Sequence, residues 1–361
     1  MRIHIDQKEL LQALKTLAPT VGKDAINVTN GVLFSVSHTE VKLTSSNFET
    51  ATIVKVEAKI DDIGEMVVNY KLLFDIVNRC TGQIIIEKIG DDLNLFNGEA
   101  QYKLSWIAAD LFPEVVVDED LDNKITIEKA DFEAGIKTVL PFISKTDDSK
   151  SPLLKTVKIN CENGVLEFVS SDMYRLAKAS FEKQGNFSIN LNKETIRAIL
   201  SSNEEEVVLC KGKRKNVVVM EKTTIVTRQY VGNFPDYNSV FNASAEYKAK
   251  IDSAVWENAL DAVCPLVDNT VTVPVVSTFE GNKLTLAVQS SLGTSKTSCE
   301  VSEPFKEKFE VAFNSHYLKE ILNNCSDEVE IASNGPHSPF YITEGSKSFV
   351  IMPMRHRSIK G

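Results

Sequence analysis

Apolar residues recur at helical spacing at Leu10, Leu11, Leu14 and Leu17, with Lys8, Gln12 and Lys15 on the other side, which predicts an amphipathic helix over Asp6–Ala18. Strand-like segments follow at Gly31–Ser37, Glu40–Thr44 and Ala51–Ala58, then a helix opened by Asn69, then strands at Gln83–Lys88, Asp92–Asn97 and Tyr102–Ile107. The order repeats. A helix over Lys129–Leu140 leads to strands at Lys155–Cys161, Val165–Ser170 and Leu176–Phe181, an Asn192 helix, and strands at Val207–Cys210, Asn216–Glu221 and Thr224–Tyr230. A third round has a helix over Asp252–Val263, strands including Lys283–Gln289, an Asn314 helix, and strands at Val329–Ala332, Phe340–Thr343 and Phe349–Met352. Turns such as Asn163-Gly164 suit meandering antiparallel strands, with helices packed on one face.

The repetition is literal as well as periodic. VNYKLLFDIV from Val68, LNKETIRAIL from Leu191 and FNSHYLKEIL from Phe313 each give an apolar residue, a capping Asn and a short amphipathic helix, with the Asn residues 123 and 122 positions apart. Acidic residues open helices at Asp6, Glu128 and Asp252, and Phe-Pro closes units at Pro113 and Pro235. Three tandem units are expected, at residues 1–120, 125–242 and 248–361, with polar junctions at Asp118–Lys124 and Asn242–Lys250.

A chain of 361 residues exceeds one ordinary core, and 43% hydrophobic content with 25% charge describes a globular protein. No apolar run reaches the roughly 20 residues of a membrane helix, and the first residues lack a signal peptide's apolar core, so a cytoplasmic protein with no membrane partner is expected. Cys80, Cys161, Cys210, Cys264, Cys299 and Cys325 form no CxxC pair and are expected as reduced packing residues. The five histidines have no metal spacing, and no phosphate-binding, dinucleotide or nucleophile-elbow motif occurs, so neither cofactor, metal nor catalytic residue is expected. Acidic pairs such as Asp61-Asp62 read as solvated turns.

The formal charge of −10 excludes a protein that coats nucleic acid with its whole surface, but it allows a local basic face. Lys8, Lys15, Lys71, Arg79, Lys137, Lys193, Arg197 and Lys319 all lie on the repeated helices, away from their apolar stripes. If those faces share one axis, their charges add into a surface for phosphate contact without base reading.

Four segments then carry a resemblance over essentially the whole chain: Ser171-Asp172-Met173-Tyr174-Arg175-Leu176-Ala177, Asn233-Phe234-Pro235-Asp236-Tyr237, Leu111-Phe112-Pro113 and Val350-Ile351-Met352-Pro353-Met354-Arg355. In order, over a threefold repeat, they resemble the beta subunit of bacterial DNA polymerase III, the sliding clamp. The resemblance implies an α+β chain of three clamp domains, antiparallel sheets outside and helices inside, dimerising into a six-domain ring. It implies duplex DNA held without sequence preference, a clamp loader, a polymerase catalytic subunit and other peptide-motif binders as partners, and no chemistry of its own. An acidic repeated-domain scaffold that binds peptides without encircling DNA is the alternative reading.

By resemblance, the partner-peptide pocket comprises Leu154, Ser171, Tyr174, Arg175, Leu176, Pro235, Val240, Val350, Met352, Pro353 and Met354, and Lys23 and Lys150 join the helix cations facing DNA. The subunit contact would set the strand around Tyr102 and Leu104 against the region of Val263, Cys264 and Leu266. Met173 stands where the family often has Gly or Ser, Ser239 near a usual basic residue, and a tail His356–Gly361 runs past the usual end.

Overall fold

The computed structural model describes residues 1–23, 28–117, 121, 123–146, 151–230, 232–241, 245–267 and 273–355. Among them are seven α-helices: α1 (Gln7–Leu17), α2 (Tyr70–Val77), α3 (Lys129–Val139), α4 (Lys193–Ser201), α5 (Tyr237–Phe241), α6 (Ser253–Val263) and α7 (Ser315–Leu322). Five of these helix starts carry a side-chain cap where the sequence placed one. Asp6 accepts from the Lys8 amide, Asn69 from Leu72, Asn192 from Thr195, Asp252 from Val255, and Asn314 from His316 and Tyr317. Each cap satisfies amide donors that the first helical turn cannot satisfy itself.

The chain forms two compact units, Met1–Ala134 with Phe187–Val231, and Gly135–Asn186 with Gly232–Gly361. These cut across the expected tandem division because strands far apart in sequence pair. In the first unit Thr50–Val56 runs antiparallel to Thr223–Arg228, with Ala51 opposite Val226. That pairing joins nine strands into one sheet: Trp106–Ile107, Gly64–Asn69, Gly31–Val36, Val41–Ser46, Thr50–Val56, Thr223–Arg228, Lys215–Val219, Glu206–Lys211 and Lys124–Glu128. A second sheet orders Ala58–Asp62, Arg2–Asp6, Gln83–Ile89, Asp92–Asn97 and Ala100–Leu104. Helix α1 packs against α2, α4 and the strand Thr50–Val56. Its Leu10, Leu14 and Leu17 are fully buried with Ile3, Phe34, Leu43 and Ile84, each such side chain contributing about 2 kcal/mol of apolar burial.

The second unit has a sheet in which Thr156–Glu162, Val165–Ser171, Arg175–Glu182, Lys347–Ile351, Phe340–Glu344, Glu328–Ser333 and Tyr247–Asp252 follow one another. A four-stranded sheet orders Gly293–Glu300, Lys283–Ser290, Pro274–Glu280 and Phe309–Asn314. Helix α6 packs on α7, and its Trp256 meets Phe279 and Phe340 edge-on. All six cysteines are free thiols. Among the described residues no helix is long and apolar enough to cross a membrane.

Candidate docking site and basic helix faces

The stretch Ser171–Arg175 forms a tight turn between two strands of the second unit. The Ser171 hydroxyl accepts from the Met173 amide at 3.0 Å and donates to the Arg175 carbonyl at 2.9 Å. Asp172 Oδ1 accepts from the amides of Tyr174 and Arg175, both at 3.0 Å. The turn holds Met173 at φ 74°, left-handed backbone in which Gly pays no steric penalty. That conformation is the physical reason a Gly suits this position. It also pushes Met173 and Tyr174 into solvent, 61% and 64% exposed.

After the turn the strand alternates. Leu176 faces one side of the sheet and pairs across strands with Val350, which pairs in turn with Tyr341. Helix α5 covers this row. Val169, Leu176, Tyr237 and Val350 form a small buried cluster against which Phe234, Val240, Phe241 and Tyr341 pack. The Tyr341 hydroxyl donates to the Val240 carbonyl at 2.9 Å, and the Tyr237 hydroxyl to Glu167 at 2.8 Å. Burial, then the Glu167 carboxylate, holds the Tyr237 phenol well above its ordinary range. At the rim, the Met352 amide donates to the Tyr174 carbonyl at 2.8 Å, and Met352 is 40% exposed. Pro235, Pro353 and Met354 are half-buried, Met354 donating to the Ala312 carbonyl at 2.8 Å, and Leu154 and Ser171 are buried.

Arg175 points the other way. Its Nε donates to Asp172 at 3.0 Å and its Nη2 to the Pro141 carbonyl at 3.1 Å, while Nη1 donates to Glu320 of α7. The guanidinium lies between the rings of Phe142 and Tyr317, 4.7 and 4.2 Å from their centroids. Only 2% of the side chain is exposed, so Arg175 holds the turn rather than lining a groove. Glu320 is also paired with Lys145 at 3.0 Å. Burial works to raise the Glu320 pKa, but the hydrogen bonds from Arg175 and Lys145 prevail and the carboxyl lies below its ordinary value.

Lys8, Lys15, Lys23, Lys71, Arg79, Lys137 and Arg197 are exposed, and Lys193 is half-buried. Lys319 is tied to Asp261 at 2.6 Å, which offsets its charge. Lys150 and the tail from His356 fall outside the described residues.

Tyr102 and Leu104 sit half-buried on an edge strand, Ala100–Leu104. Cys264 and Leu266 are half-buried after α6, whereas Val263 is fully buried within its own unit. Beside Leu266 runs a second edge strand, Gly293–Glu300, which the sequence does not predict, and neither does it place Phe234, Tyr237, Phe241 and Tyr341 at the docking site. Its residues, GTSKTSCE, carry little apolar pattern, so only pairing reveals it.

This arrangement of antiparallel sheets and capped helices is the DNA clamp fold. Residues 1–116 match the family described as DNA polymerase III beta subunit, N-terminal domain. The beta sliding clamps of Chlamydia muridarum and Chlamydia pneumoniae are 24% and 25% identical, each covering 98% of this chain and 99% of its own. The DNA polymerase III beta subunit from Thermotoga maritima superposes with a TM-score of 0.91 at 20% identity, over 99% of this chain and 100% of that one. A Pseudomonas aeruginosa sliding clamp solved bound to griselimycin gives 0.89 at 20% identity, again over 99% and 100%. Similarity to bacterial DNA polymerase III beta sliding clamps therefore extends over nearly the whole chain.

Proposed function

We propose that two copies of this chain close a ring of six repeats, three per chain at residues 1–120, 125–242 and 248–361, around duplex DNA. The observation that carries the reading is the full-length match to clamp structures, together with cation-bearing helices whose caps recur at Asn69, Asn192 and Asn314. The ring stays on DNA by topology, so Lys8, Lys15, Lys71, Arg79, Lys137, Lys193 and Arg197 need only attract phosphates weakly and without sequence preference.

Closure pairs the edge Ala100–Leu104 of one chain with Gly293–Glu300 of the other, removing two exposed sheet edges per contact. Partner peptides, the polymerase's among them, seat an apolar anchor beside Leu176 and Val350 under the exposed rim of Tyr174 and Met352. Arg175 acts there by fixing the turn. The chain performs no bond chemistry, works in the cytoplasm and relies on a separate loader to open it.

Retention on nicked circular DNA decides between ring and scaffold. The protein should stay bound through gel filtration at moderate salt and be lost once the circle is linearised. Equal retention on both forms, or on neither, would favour the scaffold.

A further inference from the structure

The first unit carries its own copy of the Ser171–Arg175 turn, 125 residues earlier. The Ser46 hydroxyl accepts from the Phe48 amide at 3.2 Å, and Asn47 Oδ1 accepts from Glu49 at 3.1 Å and Thr50 at 2.8 Å. Phe48 sits at φ 70° and is 68% exposed. The Arg228 amide donates to the Glu49 carbonyl at 2.9 Å, just as Met352 does to Tyr174. The chemistry differs, however. Where the second unit has Tyr174 and Met352, the first has an ion pair, Glu49–Arg228 at 3.4 Å, which does not suit an apolar peptide.

Beside it the strand pairing sets Lys215 directly opposite Arg228, a like-charge pair that costs stability. Lys215 ends the hairpin Lys211-Gly212-Lys213-Arg214-Lys215, four cations in five residues of a chain with net charge −10. Strand alternation puts Lys215 and Arg228 on the face of Val217, Val226 and Ala51, opposite Thr50 and Thr227, which contact each other near the cap of α4. The cations are therefore separate from those on the helices. Glu49, next to Phe48 in the turn, lies two inter-strand steps, about 10 Å, from Lys215. An exposed aromatic ring held by a strained turn beside a basic hairpin combines a stacking platform with phosphate contacts.

The geometry points to a single-strand DNA contact in the first unit, with Lys211, Lys213, Arg214 and Lys215 on the phosphates and Phe48 stacked on an unpaired base. A duplex offers no free base face to Phe48, so the occupant is single-stranded.

The test uses the full-length protein and a short fluorescent oligothymidylate, whose free ends make encirclement irrelevant. Retention on nicked circles can therefore succeed or fail independently. Anisotropy titrations should show that replacing Lys213, Arg214 and Lys215 by Ala lowers the magnitude of the log K against log salt slope by about 2. Phe48→Ala should weaken binding roughly tenfold with the slope unchanged, and Phe48→Trp should restore it. An unchanged slope in the triple variant, an unchanged affinity in Phe48→Ala, equal binding of a duplex of the same length, or full competition by polyglutamate would each overturn the site. Thermal melts of each variant confirm that the fold is retained.

Discussion

Arg175 directs its guanidinium inward, and its partner Glu320 makes that arrangement sensitive to pH. The Glu320 carboxyl has a lowered pKa in the folded state, so its contribution to stability is complete above the unfolded value near 4.5 and disappears as pH falls through the folded value. Glu320→Gln should therefore cost about 1–3 kcal/mol at pH 7, because a buried guanidinium loses one of its two carboxylate partners, Asp172 remaining. The gap between variant and wild-type urea midpoints should close below pH 4.5; a gap constant with pH would remove the charge from the explanation. The motif around Arg175 was legible in the sequence, but the direction of its side chain was not. Two residues before it, Met173 adopts positive φ, and such a turn resets which face the following strand presents.

Six short strands run straight into helices: Arg2–Asp6, Gly64–Asn69, Lys124–Glu128, Phe187–Asn192, Tyr247–Asp252 and Phe309–Asn314. The sequence reading found each helix and missed each strand, because a strand of five or six residues offers only two or three alternations before the cap changes the period. The caps themselves differ in depth. Asn69 is exposed, whereas Asn192 is 4% exposed and also donates from Nδ2 to Thr50 at 3.0 Å. Asn69→Ala should cost about 1 kcal/mol and Asn192→Ala about 2–3 kcal/mol, since the latter also leaves buried polar groups unpaired. Equal losses by chemical denaturation would show that the Thr50 contact adds nothing.

At the scale of the molecule, the α+β character and the recurring helices were legible, but the partner of each edge strand was not. Nothing in Thr50–Val56 names Thr223–Arg228 as its neighbour, because pairing between distant strands follows from the closed fold rather than from local pattern. Residues 1–117 produced alone would lack that neighbour and the covering helix α4, leaving a row of unpaired amides and carbonyls beside Val54 and Val56. Light scattering should find this fragment self-associated, and a stable monomer would contradict the expectation.

The same pairing has a consequence for biosynthesis. Ala51 leaves the ribosome roughly 175 residues before Val226, on the order of 10–35 s at ordinary elongation rates. For that interval the nascent chain carries a hydrophobic strand paired on one edge with Val41–Ser46 and open on the other, so holdase chaperones have a defined target, and translation speed across the second repeat sets how long that target persists.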